Sequence, residues 1–290
     1  MGYSVKVVMR SHRLFLIFTI LAIGAQGQWL NHPSPGTPRT KDGKANLAAN
    51  APRAANGKPD LSGVWQVEPT PADIDRMLGA FGDYAALIVP GDDPRTFHKY
   101  FMNILADFPP DGAPLRPAAA QLRQQHAGRM NVDNPDARCA PMGVPRADLI
   151  GFPFKIVQTP DLTVMMYEID SSHRQVYTDG RRLPVDPQPS WLGYSVGRWE
   201  GDTLVVDTAG FNDQGWLDAF GTPRSEALHV QERFHRVDFG HMDVEVTVED
   251  PMIFTKVLNL KFRELLLPDT DILENFCNEN EKDRRHLIAH

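Results

Sequence analysis

The chain has 290 residues, of which 42% are hydrophobic and 23% charged, and its formal net charge is -7. This is an ordinary globular composition, and the length suits one large domain or two small ones. A nucleic-acid-binding protein more often carries a basic stripe, and the sequence has none, so we expect no nucleic-acid partner. The charge balance does not favour an acidic ligand either, although a local cationic patch could still bind one.

The first 27 residues have the pattern of a secretory signal peptide. Basic residues at positions 6, 10 and 13 precede an apolar run over 14–25, and small residues follow at Ala25 and Gly27. The run is about 12 residues long, whereas a membrane-spanning helix needs roughly 20, so a retained anchor is the less favoured alternative. We therefore predict a periplasmic or secreted protein with no stable membrane span once the signal is removed.

Cys139 and Cys277 are the two cysteines of the chain. In an oxidising compartment an isolated pair is usually a disulfide, and this is our prediction; two buried free thiols are the alternative. A catalytic cysteine is less favoured, because no histidine or helix start lies beside Cys139 to lower its pKa.

Composition divides the rest of the chain into a flexible linker over 28–57, rich in Pro, Gly, Asn, Ala and Lys, and a single domain over 58–290. The domain opens with Gly63-x-Trp65, which resembles the start of lipocalin-type barrels, where the Trp closes one end; a plain core Trp is the alternative. Residues of about 70–135 have helix-forming composition over 72–81 and 118–130. They predict a helical insertion after the first strand, as a lid or as a layer packed on the sheet.

Strands dominate after the insertion. We predict them over 154–158, 162–169, 174–178, 194–199, 203–208, 228–237, 242–248 and 255–265, with a short helix over 272–280. Asp179-Gly180 is a strong hairpin signal. Such regular, short spacing favours an antiparallel fold. The predicted fold is mainly β: an antiparallel, lipocalin-like β-barrel or a strongly curved sheet, with a helical insertion.

The 228–237 strand is polar on both faces. His229, Arg233 and His235 share one face with Gln231, and Glu232 lies on the other. One face must point into the barrel, so some of these groups either line a site or form cross-strand ion pairs; the sequence leaves open which face is inside.

The best candidate for a catalytic site is the segment 173–182. His173 is a possible general acid or base, since His has the pKa closest to neutral, and Tyr177 and Asp179 offer a hydroxyl and a carboxylate. Arg174 and Arg182 are possible anion clamps. For Asp179 the plain alternative is a turn residue. His229 and Glu232 complete the candidate catalytic set.

Further residues are candidate ligand contacts. Glu168 closes an otherwise apolar strand, so it either pairs with an arginine such as Arg174 or enters a cavity. Aromatic residues around the 191–216 region are expected to floor an apolar pocket or belong to the core. The candidate ligand-binding residues are Glu168, Arg174, Arg182, Trp191, Tyr194, Trp199, Trp216, Arg233 and His235.

The sequence gives little support to a metal or cofactor. Five residues separate His229 from His235, too many for two ligands of one ion on a strand, and no zinc motif is present. The chain contains no Gly-rich phosphate loop, dinucleotide fingerprint or Gly-x-Ser-x-Gly. We therefore predict neither a metal nor a cofactor.

Several long motifs resemble a family of exported bacterial proteins found in soil and environmental lineages. They are the runs over 154–160 (FKIVQTP), 177–181 (YTDGR), 191–206 (WLGYSVGRWEGDTLVV) and 279–281 (ENE), and the resemblance covers roughly residues 58–290. It implies a secreted β-rich domain and no particular reaction.

Two functions remain as hypotheses. The first is a periplasmic or secreted β-barrel that binds a small, partly apolar molecule. The second is a cofactor-free acid–base enzyme, such as a hydrolase, lyase, isomerase or cyclase, with its site in the barrel. An enzyme predicts a His–carboxylate hydrogen bond facing a cavity, whereas a carrier predicts a mostly apolar cavity whose polar groups pair with one another. A structural role in the envelope stays open, and the sequence does not indicate an oligomeric state.

Overall fold

Nine strands close into one barrel in the computed structural model, which describes residues 33–80, 94–129 and 133–277. The strands are β1 (Gly63–Val67), β2 (Phe154–Gln158), β3 (Leu162–Tyr167), β4 (His173–Tyr177), β5 (Tyr194–Glu200), β6 (Thr203–Ala209), β7 (His229–Arg236), β8 (His241–Glu249) and β9 (Leu258–Leu266). The predicted mainly-β barrel is confirmed. The predicted signal peptide lies outside the described residues.

Alternation along the strands builds the barrel core. In β8, Met242, Val244, Val246 and Val248 are buried, whereas the residues between them are half-buried or exposed. This period of two places every second side chain inside, as expected for a sheet with one solvated face. The apolar face of this strand is therefore the inner face.

The first strand begins at a glycine for a steric reason. Gly63 has a φ of 144°, and a Cβ there would lie 2.6 Å from Leu266 Cδ1. Two residues on, Trp65 is fully buried, and its ring nitrogen donates to the Leu61 carbonyl at 2.9 Å. The Arg236 guanidinium lies over the Trp65 ring, 4.9 Å from its centroid. Trp65 thus closes the barrel end at which β1 begins.

One predicted hairpin is wrong. β4 and β5 pair in parallel, while the other neighbouring strands described are antiparallel, so Asp179-Gly180 does not join an antiparallel pair. The Asp179 carboxylate accepts hydrogen bonds from the Arg181 backbone and guanidinium, and Gly180 has a φ of 86°. A local turn therefore forms, but the Pro-rich chain that follows runs back along the barrel before β5 begins.

The predicted helical insertion is present between β1 and β2. It contains α1 (Pro71–Ala80), α2 (Lys99–Met102), α3 (Pro117–Gly128) and α4 (Arg146–Leu149). Proline is the first residue of both α1 and α3, a position where its missing N–H costs nothing. The insertion covers the end of the barrel opposite Trp65: Ile104 N donates to Asp218 at 2.9 Å, and Ala219 N donates to the Phe101 carbonyl at 2.8 Å.

Residues 33–59 form an arm along the barrel instead of the flexible linker expected over 28–57. Two ion pairs join the arm to the rest of the protein: Arg39 with Asp269 at 2.5 Å and Arg53 with Asp202 at 2.6 Å. The backbone of the β7–β8 turn also bonds to it, because Gly240 N donates to the Leu47 carbonyl at 2.8 Å. Composition indicated flexibility, but these long-range contacts hold the arm in place.

A disulfide ties the C-terminal tail to the insertion. Cys139 and Cys277 are bonded, with their Cα atoms 5.5 Å apart, as predicted. The helix predicted over 272–280 is absent from its described part, residues 272–277, which has no regular structure. Lys155 instead fixes the tail by an ion pair with Asp271 at 2.8 Å.

Candidate functional site

A buried ion pair crosses the barrel interior. Arg174 on β4 forms a bidentate pair with Glu232 on β7, with Arg174 Nη1 3.1 Å from Glu232 Oε1. Their side chains are 1% and 0% exposed. Burial opposes the charge of Arg174, but the attraction and hydrogen bond of Glu232, together with Tyr167 and Asp148, outweigh it and raise the pKa of the guanidinium.

Two hydroxyls complete the coordination of this guanidinium. Arg174 Nε donates to Ser195 Oγ at 2.9 Å, and Nη2 donates to Thr208 Oγ1 at 2.7 Å. The hydroxyls lie 3.0 Å from each other. They come from β5 and β6, the strands between β4 and β7, so the pair and its partners hold four neighbouring strands in register.

Asp148 reaches into the same interior from α4 of the insertion. Tyr167 donates its hydroxyl to Asp148 Oδ1 at 2.8 Å. Burial raises the pKa of Asp148 well above its ordinary value, and the charge of Glu232 raises it further. Two carboxyl groups that both carried a charge in this interior would repel each other, so the protonated form of Asp148 is favoured. Among the described residues Asp148 Oδ2 has no hydrogen-bond partner.

Glu264 on β9 also faces the interior. It is 0% exposed, and within the part of the chain that the structure describes neither carboxyl oxygen has a hydrogen-bond partner. Burial raises the pKa of Glu264 well above the ordinary glutamate value, and the neighbouring Asp148 adds to this. We call Asp148, Tyr167, Arg174, Ser195, Thr208, Glu232 and Glu264 the interior polar cluster. Strongly shifted carboxyls of this kind are common at functional sites.

A cavity of about 660 Å³ lies outside the barrel wall, between the arm and the Trp65 end. We call it the arm groove. Its walls are mostly apolar, and they come from the arm, the start of β1, the β7–β8 turn and the tail: Ser34, Pro35, Gly36, Thr37, Pro52, Asp60, Ser62, Gly63, Val64, Lys155, Arg236, Phe239, Leu266, Leu267, Pro268, Thr270 and Asp271.

The charged groups of the arm groove have partners within the protein. Lys155 pairs with Asp271, and Asp60 accepts from Ser62 N at 2.9 Å. Arg236 donates to the backbone carbonyls of Asp60, Asp238 and Phe239. Burial lowers the pKa of Arg236 to about 10, which still leaves it charged at neutral pH.

The structure answers which face of β7 is inside. Glu232 points inward and is buried, whereas His229, Arg233 and His235 lie on the outer face. There they form cross-strand contacts, such as His229 with Asp207 at 3.4 Å and Arg233 with Glu200 at 3.0 Å. The outer face of this strand therefore has the cross-strand ion pairs considered as the alternative to a site.

The 173–182 segment does not form one site. Arg174 is inside the barrel, but His173, Asp179 and Arg182 are exposed. Tyr177 lies on the outer surface, where it stacks on Tyr194 with ring centroids 5.4 Å apart and Arg181 covers its face at 3.8 Å. Alternation on β4 separates Arg174 from its neighbours.

The remaining candidates are dispersed as well. Glu168 accepts from Leu273 N at 2.9 Å and so anchors the tail; it does not pair with Arg174. Trp199 packs against the barrel core, and Trp216 stacks on His126 of α3 at 4.4 Å. Trp191 lies beside the buried Arg224, 5.9 Å from its guanidinium carbon. Tyr177 and His229 thus lie on the outer surface and Trp199 packs against the core, so these three candidates do not share a pocket.

Sequence reasoning missed five members of the interior polar cluster: Asp148, Tyr167, Ser195, Thr208 and Glu264. A usable signal existed for Glu264, because Leu258, Leu260, Phe262 and Leu266 alternate along the last strand and place it on their apolar face. Asp148 had no such signal, since it enters the barrel from a four-residue helix whose position depends on the whole insertion.

Within the described residues, no group of three or more His, Cys, Asp or Glu is arranged to hold a metal ion. The helices of those same residues include none with the length and hydropathy to cross a membrane.

Fold and site together define a closed β-barrel with a polar cluster in its interior and a separate, mostly apolar groove outside its wall. A scan against protein-family models finds no match, and a search of curated proteins finds none. A search of solved structures finds similarity to a luciferase domain from the dinoflagellate Lingulodinium polyedrum, with 8% sequence identity and a TM-score of 0.33. The alignment covers 84% of this chain and 50% of that one, so the chain spans about half of its length. Similarity this weak supports no conclusion about function.

Proposed function

We propose that this protein binds a small, partly apolar molecule in the arm groove. The observation that carries the proposal is a mostly apolar cavity of about 660 Å³, within the range of about 300–1,000 Å³ typical of ligand sites. Its charged groups are paired with one another or with backbone, as expected for a carrier. Apolar contact supplies the affinity, and Lys155 and Asp271 at one wall orient a polar end.

The proposed place of action is periplasmic or secreted. The Cys139–Cys277 disulfide supports it, because such bonds persist in oxidising compartments and are rare in the cytosol. The signal-peptide pattern of the first 27 residues gives the same indication from the sequence.

Native mass spectrometry of protein purified from its own source organism tests the proposal. We expect one small molecule per chain on the wild type and none on Leu267→Trp, whose indole would fill the groove. Met252→Trp is the matched control, because Met252 is 64% exposed in the β8–β9 loop at the opposite end of the barrel. Retention by Leu267→Trp equal to that of the wild type would exclude the groove.

The interior polar cluster favours acid–base catalysis as a second candidate function. A protonated Asp148 beside Glu232 is a carboxyl pair able to donate and accept a proton. The His–carboxylate pair expected of the enzyme does not occur along the described inner faces of the strands, which is why we place the carrier first. Catalysis predicts that Asp148→Asn retains an unconverted molecule of different mass, whereas a carrier retains the same molecule.

A further inference from the structure

We propose a second ligand site inside the barrel, separate from the arm groove, in which Glu264 binds the ammonium group of an alkylamine. The group that indicates a ligand is the Glu264 carboxyl, which is fully buried and has no partner at either oxygen. Leaving a buried polar group unsatisfied costs on the order of 1–3 kcal/mol, and more for a charged group.

Among the described residues, none donates a hydrogen bond to the Glu264 carboxyl. Its neighbours across the sheet are Val67 on β1 and Met242 on β8, both apolar. Phe262 and Leu266 flank it on the inner face of β9. The charged or titratable group that acts on it is Asp148, another acid, from α4. Arg174 lies across the barrel, and its guanidinium already donates hydrogen bonds to Glu232 and to two hydroxyls.

An alkylammonium group complements this environment better than other ligand groups. It carries three N–H donors, enough for both free oxygens of Glu264, and it supplies the positive charge that the acids lack. A hydroxyl has one donor and no charge. A carboxylate would add a third acid beside Asp148 and Glu264. The apolar neighbours suit an alkyl chain, and the interior of a barrel of about eight strands is either filled by side chains or holds one small ligand.

Binding is coupled to proton release. Burial holds Glu264 in its protonated form, because its pKa is raised. An arriving ammonium ion favours the carboxylate, so the Glu264 proton leaves to solvent and an ion pair remains. Charge is conserved: one cation enters the barrel and one proton leaves.

Calorimetric titration with n-hexylamine at neutral pH tests the proposal, with hexanol and hexanoate as controls of equal chain length. Hexylamine carries its proton there, as a lysine side chain does with a pKa of about 10.4. We expect saturable binding of hexylamine alone, with release of about one proton per amine when buffers of different ionisation enthalpy are compared. Glu264→Gln should weaken it by about tenfold to a hundredfold.

Glu249→Gln is the matched control, because Glu249 is an exposed glutamate on the outer face of β8. It should leave hexylamine affinity unchanged. Equal binding of hexylamine and hexanol, unaltered affinity in Glu264→Gln, or no binding to the folded wild type would each overturn the proposal. Thermal unfolding of every variant confirms that it is folded. The titrations are made with the Leu267→Trp protein as well, whose arm groove is filled, and the hexylamine binding assigned to Glu264 should persist there. Failure here therefore leaves the proposed function standing.

Discussion

Arg174 and Glu232 are the pair on which the barrel interior depends most. A buried ion pair contributes little net stability, but removing one partner leaves an uncompensated charge. Here the pair also orders Ser195 and Thr208, so its loss would leave two hydroxyls with fewer partners.

Arg174→Met should lower the free energy of unfolding by about 3–5 kcal/mol, because Glu232 would remain buried without its cation. Urea denaturation measures the loss from the shift of the midpoint. Arg198→Met is the control, since its ion pairs with Glu200 and Asp207 lie on the outer face and exposed pairs contribute about 1 kcal/mol or less. Equal losses in the two variants would contradict this role of the buried pair.

Glu264 gives the protein a distinctive dependence of stability on pH. Its folded-state pKa is raised above the unfolded value of about 4.3, so between the two the folded state binds one more proton. The free energy of unfolding therefore falls as pH rises through this window, by about 1.4 kcal/mol per pH unit for one group.

Glu264→Gln should reduce this slope by the contribution of one group, leaving that of Asp148, and should raise stability at neutral pH, because the amide needs no proton to stay neutral. Urea unfolding of both proteins from about pH 5 upward measures the difference in slope. Glu249→Gln, on the outer face, should retain the wild-type slope. A Glu264→Gln protein with an unchanged slope would show that Glu264 is ionised in the fold.

The tail is bonded to the insertion by the disulfide, and the arm is held against the Trp65 end of the barrel. The arm contains a repeat in sequence and structure: Pro38–Leu47 and Pro52–Leu61 share the pattern Pro-Arg-x-x-(Asp/Asn)-Gly-Lys-x-(Asn/Asp)-Leu. Each copy makes a bridged turn, at Arg39 with Ala45 and at Arg53 with Pro59. Each arginine then pairs with an aspartate of the barrel or tail.

Removing the disulfide should destabilise the protein by up to about 4–5 kcal/mol, the chain-entropy value for a loop of this length. The loop joins residues 138 positions apart. Thermal unfolding of the Cys139→Ser, Cys277→Ser double variant measures the loss, and reduction of the wild type should reproduce it. A reductant that lowers the melting temperature of the double variant equally would show that the effect does not come from this bond.

Elements with a local signal could be predicted, and those fixed by distant contacts could not. The four strands predicted over 194–199, 203–208, 228–237 and 242–248 are present, and they pair as the β5–β6 and β7–β8 hairpins. Asp179-Gly180 gave an equally strong turn signal, yet β4 pairs in parallel with β5, because the long Pro-rich connection decides the partner. Composition predicted a flexible arm, because the residues that anchor it, Asp202 and Asp269, are remote in sequence.

The same limit applies to the site across the whole molecule. The sequence indicated that charges of the β4 and β7 strands belong to a barrel interior, and Arg174 and Glu232 do meet there. It could not show that His173, His229 and Tyr177 face outward, because both faces of these strands are polar and one-residue register decides the side. The arm groove joins four distant segments, so no local pattern predicts it.

Fluorescence titration with Nile red, a neutral and partly apolar dye, tests the central claim that the arm groove binds small apolar molecules. We predict saturable enhancement with one site per chain, abolished in Leu267→Trp and retained in Met252→Trp, with all three proteins equally folded. Nile red binding that does not saturate, or that survives Leu267→Trp unchanged, would contradict the claim.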